Sequence, residues 1–306
     1  MNYTIKDGFD ISVEVTGYNR DFACHIYNSV KTTWYAELKD EYNPTSEKVK
    51  AFVEGVVERQ LNPALLELGT IQLLVKGMTR VGMAQITRQR SAIFNVASQC
   101  ATNYTTAKMS FVRPLNFKDK ERFEALVKTA VEYYYDLISQ GLAPQDARYI
   151  LPQTIECGDI SWNTTASQIA SISAFRLCNT CSPDENNLVI RKYIEAFRKR
   201  LCIDLRVGLI DKLTYDLYMR ILNNTDCMGS KNDTFCSFNS PFANSGRFSK
   251  VGKEPSGIKN IKKYIELNHI KWSSSYFSKE LQTGKYSLFR GEEKLLDDDY
   301  LSEKGL

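Results

Sequence analysis

Arg88-Gln89-Arg90, then seven residues, then Ser98: this stretch decides how the chain is read. Two arginines and a serine at fixed spacing make a clamp suited to an anionic nucleotide, because a guanidinium meets phosphate with planar, bidentate donors. The preceding apolar and polar pattern reads as a helix over 79–90, which places Gln85 on the same face as Arg88. Asn95 lies inside the seven-residue spacer. An Arg-x-Arg pair alone is most often the solvated end of a basic helix, so the clamp gains meaning only from what accompanies it.

The segments around the clamp give an alternation of strands and helices. Ile11, Val13 and Val15 alternate with polar residues over 10–17, which predicts a strand. Residues 46–60 carry apolar positions at helical spacing, and 70–75 reads as a buried strand. A long helix is expected over 117–139, introduced by Asn116 and ended by Gly141. Its apolar stripe runs through Phe123, Leu126, Val127, Ala130, Val131, Tyr134, Leu137 and Ile138. A short helix after Pro144 stops near Pro152 and holds Arg148 in its middle. A strand over 154–162 and helices over 165–177, 186–203 and 208–223 complete the pattern. The fold class is α/β (α+β), a mixed sheet flanked by helices.

From Asn223 the composition turns to Asn, Ser, Gly, Lys and Asp, and 257–306 hold only short apolar patches. The expected division is therefore 1–225 as the nucleotide-binding domain and 226–306 as a C-terminal extension. The 306 residues, 43% hydrophobic and 25% charged, describe an ordinary globular chain with room for a large core. A formal charge of +4 favours anions only weakly. No apolar run reaches the length of a membrane span, and the first residues lack the apolar core of a signal peptide, so the expected compartment is the cytoplasm. No Walker-type or dinucleotide glycine loop is present, and Tyr133-Tyr134-Tyr135 offers no exposed stacking ladder; nucleic acid is not an expected partner. Only two histidines, His25 and His269, stand in the chain, which argues against a histidine-based hydrolase or a multi-histidine metal site.

The clamp, with Gln85 before it and Asn95 inside it, resembles the signature of flavin-dependent thymidylate synthases, Arg-His-Arg, seven residues, Ser. Two further stretches recur in the family's order. Ala147-Arg148-Tyr149-Ile150-Leu151-Pro152 is similar to its Ala-Arg-x-x-Leu-Pro, and Phe175-Arg176 followed by Asn187-Leu188-Val189-Ile190-Arg191 is similar to its late arginine and Gln-Trp-Glu-Ile-Arg segment. The matches cover roughly residues 45–205.

The resemblance implies an enzyme that alkylates C5 of dUMP with methylenetetrahydrofolate as one-carbon donor, reduced FAD as hydride source and NADPH to reduce the flavin. It implies Gln85, Arg88, Ser98, Arg148 and Arg176 as the nucleotide pocket, with Arg176 and Ser98 catalytic. Arg176 would polarise the pyrimidine electrostatically, without a catalytic cysteine. Arg88, Gln89, Arg90 and Asn95 would meet the flavin, and the chain would assemble as a homotetramer.

The departures fall mainly on the flavin side. Gln89 stands for the histidine, Val96 for a glutamate and Cys100 for a second pocket arginine. Thr165, Ser167 and Ser171 replace the Asn, Arg and Asn that hold FAD, and Leu177 through Pro183 replaces the segment with an aspartate and a histidine. The alternatives are a divergent, phage-like synthase, altered C5 chemistry such as hydroxymethylation of a related nucleotide, and a non-catalytic nucleotide-binding relic. Cys178, Cys181, Cys227 and Cys236 form the one conceivable zinc set; unlinked thiols are the simpler reading.

Overall fold

The computed structural model describes residues 2–34, 41–58, 63–89, 91–177 and 184–223, together with Leu267. The first half runs β1 (Tyr3–Asp7), β2 (Ser12–Tyr18), α1 (Phe22–Trp34), α2 (Glu47–Glu58), β3 (Thr70–Lys76), α3 (Arg80–Ile86), β4 (Ile93–Val96) and β5 (Met109–Arg113). The second runs α4 (Lys120–Ser139), α5 (Pro144–Ala147), β6 (Ile160–Thr165), α6 (Ala166–Arg176), α7 (Asp184–Arg206) and α8 (Lys212–Asn223). The expected α/β class is what the chain adopts.

A four-stranded antiparallel sheet in the order β2-β3-β6-β4 forms the centre, and β1 pairs in parallel with β5 in a separate ribbon. In β3 the alternation puts Ile71, Leu73 and Val75 inward, all about 1% exposed or less. Helix α7 crosses behind β2 and supplies Tyr193 and Phe197 to an aromatic cluster with Trp162 and Tyr218. Trp162 in turn stacks on Phe94 at 5.2 Å between ring centroids, which fixes the short edge strand β4 to the core. A smaller core packs α4 and α5 against the β1–β5 ribbon through Phe111, Val127, Val131, Tyr134 and Ala147.

The segment 154–157 joins the two. Glu156 N–H donates to the Ser110 carbonyl at 2.7 Å on one side, and Arg80 N–H donates to the Ile155 carbonyl at 3.0 Å on the other. The strand expected over 154–162 is therefore split. Gly158, at φ +73°, turns the chain out of the extended region, and the true strand is Ile160–Thr165.

Two helix ends also differ from expectation. Helix α4 starts at Lys120 because Asp119, not Asn116, caps it: the carboxylate accepts from Arg122 N–H at 2.9 Å. Its C-terminus closes as expected at Gly141, whose φ of +90° accompanies paired bonds from Gly141 and Leu142 back to Ile138 and Leu137. Leu126 is 63% exposed, so the buried stripe is narrower than its apolar residues suggest. Helix α3 covers Arg80–Ile86 rather than 79–90. Thr79 is its N-cap, and Thr87 is its C-cap, whose N–H and hydroxyl both donate to the Met83 carbonyl, at 3.0 and 2.9 Å. Strands β1, β4 and β5 and helix α1 were not expected from periodicity. Among the described residues no helix is long and apolar enough to cross a membrane.

Candidate active site

Because α3 stops at Ile86, Arg88 and Gln89 leave the helix axis instead of continuing its face. The last carbonyls of a helix have no amide to meet within it. Here the Gln85 carbonyl is met from another element: Arg176, in the last turn of α6, donates to it from Nη2 at 2.8 Å. Arginine at a helix C-terminus also suits the negative end of the macrodipole.

This contact brings Arg176 close to Arg88. The Arg176 guanidinium is half-buried; its pKa is lowered, first by burial and then by the neighbouring positive charge of Arg88. It stays ionised, since guanidinium does not lose its proton in proteins. No carboxylate among the described residues forms a salt bridge with either arginine. Two cations held together with one partly desolvated make a place for an anion or for a polarisable carbonyl.

Ser98 lies beyond β4 at the start of a turn. Its Oγ accepts from Cys100 N–H at 3.2 Å, and its carbonyl accepts from the Thr102 amide at 3.0 Å and hydroxyl at 2.7 Å. Arg80 reaches across from the first turn of α3 and donates to the Ala97 carbonyl at 2.7 Å, tying the residue before Ser98 to the start of α3. Asn95 is on the outward face of β4 and exposed, while Phe94 and Val96 point inward. Gln89 is half-buried. Arg148 opens the 3-10 turn after α5, where its Nε donates to the Gln145 carbonyl at 3.0 Å and its guanidinium lies 5.4 Å from the Tyr149 ring centroid. Its described contacts are local and do not join it to Arg88 or Arg176.

The residues expected to stand for the FAD-holding side chains begin α6, the helix that ends in Arg176. The Thr165 and Ser167 hydroxyls hydrogen-bond at 3.0 Å across the start of α6. Ser171 is exposed. Arg90, Cys178, Cys181, Cys227 and Cys236 lie outside the described residues. Among the described residues no group of three or more histidine, cysteine or acidic side chains could hold a metal ion. Cys157 is buried at 1% exposure and its thiol is pushed up to about 11 by burial, which unfits it as a nucleophile at neutral pH.

Sequence reasoning missed the other end of α3. Glu185, 3% exposed, accepts from Thr79 N–H at 2.5 Å through Oε1 and from the Thr79 hydroxyl at 2.7 Å through Oε2. Burial pushes its carboxyl up to about 7, against the lowering effect of the Thr79 bonds and with a further upward push from Glu156. Neighbouring Asn186 donates to the Gly82 carbonyl at 2.9 Å. The signal was a Thr followed by Gly three residues later, which marks a helix start approached closely by another group.

Comparison with known proteins places this geometry. Residues 15–201 match the family model described as thymidylate synthase complementing protein. The flavin-dependent thymidylate synthase of Pyrococcus furiosus is 26% identical over 181 residues, which span 55% of this chain and 73% of that protein. That of Pyrococcus abyssi is 27% identical over 173 residues, 55% and 69% respectively. Among solved structures, a UMP/dUMP methylase, PolB, from Streptomyces cacaoi with 5-Br dUMP superposes at a TM-score of 0.52 and 15% identity, covering 70% of this chain and 97% of that one. Thymidylate synthase X from Helicobacter pylori with FAD and dUMP gives 0.50 and 16%, covering 70% and 99%. At such identities the structural likeness speaks for the fold. The family model spans more than half of the sequence, and the chain belongs to the thymidylate synthase complementing protein family, as a divergent member of the flavin-dependent thymidylate synthases.

Proposed function

We propose that this enzyme is of the methyltransferase type and alkylates C5 of dUMP, with methylenetetrahydrofolate as the one-carbon donor. The observation that carries the reading is the meeting of Arg176 with Arg88 at the end of α3. Gln85, Arg88, Ser98 and Arg148 serve as the nucleotide pocket, Arg88 holding phosphate. Arg176 donates toward a pyrimidine carbonyl oxygen and stabilises the negative charge that collects there as C5 becomes nucleophilic. Its bond to the Gln85 carbonyl fixes the guanidinium before substrate arrives, so that little reorganisation is needed during reaction. C5 gains the carbon unit and gives up its proton, and Ser98 supplies a neutral hydroxyl beside the ring.

FAD suits the remaining side chains. Gln89 and Asn95 offer amide donors and acceptors with no hydrogen-bond partner among the described residues, and Thr165, Ser167 and Ser171 offer hydroxyls. Bound there, FAD would supply, once reduced by NADPH, the hydride that completes the methyl group. A homotetramer is part of the same proposal, as are a catalytic unit over 1–225 and an extension over 226–306. The purified chain, given dUMP, methylenetetrahydrofolate, FAD and NADPH, is expected to release the C5 hydrogen and yield a product of dTMP mass. No C5 release with bound dUMP overturns the reading.

The Thr165–Ser167 hydrogen bond favours one second reading. Two neutral hydroxyls that satisfy each other leave less to hold a charged cofactor, which fits hydroxymethylation at C5 or a nucleotide-binding protein without turnover. Product mass separates the first from methylation, and flavin absorbance separates the second.

A further inference from the structure

The α3 helix is seven residues long, too short to hold its own geometry in isolation. It is held at both ends by side chains from elsewhere in the sequence. At the C-terminal end Arg176 takes the Gln85 carbonyl. At the N-terminal end the buried carboxylate of Glu185 takes both the amide and the hydroxyl of Thr79, 106 residues away, and the same Thr79 hydroxyl accepts from Gly82 N–H at 3.2 Å. Asn186 adds a bond to the Gly82 carbonyl. The fit is close: a Cβ on Gly82 would lie 2.3 Å from Glu185 Cδ.

We infer that Glu185 is a positioning residue for the nucleotide pocket, fixing α3 from α7 so that its far end presents the Gln85 carbonyl to Arg176 and Arg88 beside it. The inference rests on the nucleotide reading given above, and it assigns to Glu185 no contact with substrate. The carboxylate sits at the opposite end of the helix from Gln85, and its reach is through the roughly two turns of α3. A neutral hydrophobic residue of similar size would fill the space and leave the Thr79 amide without an acceptor. An amide would keep one acceptor for it.

The test compares the full chain with its E185L, E185Q and T79A variants. Calorimetric titration with dUMP is expected to show E185L weakened about tenfold, T79A less, and E185Q restored to within about threefold of wild type. Hydrogen exchange on the ligand-free proteins reads the same coupling without dUMP. Amides 86–89 should exchange faster in E185L while those of α4 keep their wild-type rates. A folded E185L with wild-type dUMP affinity overturns the inference, as does an E185Q no better than E185L. Should E185L fail to fold, T79A and E185Q carry both readouts, and wild-type values in T79A at both overturn it. A wild type that binds no dUMP overturns the nucleotide reading instead, and exchange at 86–89 still decides the role of Glu185.

Discussion

The two walls of the candidate site are built differently. On the proposed nucleotide wall, Gln85 and Arg176 come from two helices joined by a long-range hydrogen bond, Arg88 follows the first of them, and Glu185 and Asn186 hold the other end of that short helix. On the proposed flavin wall, Asn95 stands out from an edge strand, and the Thr165 and Ser167 hydroxyls hydrogen-bond to each other. A cation pair costs free energy unless an anion joins it, so a chain that retains one keeps a use for it. Neutral hydroxyls carry no such cost. The difference teaches which wall can change at low cost: neutral hydroxyls can be exchanged without leaving a half-buried guanidinium such as Arg176 unmatched.

The largest expected effect breaks the nucleotide wall. R176A removes the polarising guanidinium and leaves the Gln85 carbonyl unmet, and it should weaken dUMP binding by about a thousandfold by equilibrium dialysis. Next comes pH. Glu185 has its carboxyl raised in the folded chain to about 7 from an ordinary 4.5. The folded state therefore holds a proton that the unfolded state has lost. The associated stability is present in full below pH about 4.5 and falls as pH rises to about 7, by about 3 kcal/mol. Asp184, raised to about 6 by burial, acts in the same direction. Denaturant unfolding at pH 5 and pH 8 should show the fall, and E185Q should flatten it.

A smaller effect sharpens the steric side of the comparison. G82A drives a methyl into the Glu185 carboxylate and should cost about 2 kcal/mol in thermal unfolding, with weaker dUMP binding as the accompaniment. The smallest change acts on the other wall. T165N/S167R returns an amide and a guanidinium to the start of α6 and should tighten FAD about tenfold by quenching of flavin fluorescence, leaving dUMP affinity unchanged. An equal gain for dUMP would show that the walls are not separate.

What the sequence disclosed follows from physical range. Helices α4, α7 and α8 and strand β3 were legible because apolar periodicity is local and long enough to read. Strand β4, four residues with Ile93 65% exposed, has no such pattern and exists through pairing with β6 and the Phe94–Trp162 stack. The end of α3 was misjudged because no glycine or proline marks it: the helix closes on Thr87, whose N–H and hydroxyl both meet the Met83 carbonyl. In the site, the motif spacing pointed to Gln85, Arg88 and Arg176; Arg176 meets the backbone carbonyl of Gln85 and lies near Arg88. Arg148, expected in the middle of a short helix, instead opens the 3-10 turn after α5, and its partners are local. Glu185 was invisible because its partner, Thr79, is far away in sequence and an acidic residue at a helix start ordinarily means only a favourable dipole contact.

The most direct test of the account is a calorimetric titration of dUMP into the purified chain stripped of flavin. The account expects saturable binding without FAD, because a protein contact alone, the Arg176 bond to the Gln85 carbonyl, fixes the guanidinium beside Arg88. No binding, or binding that appears only after FAD is added, would contradict it.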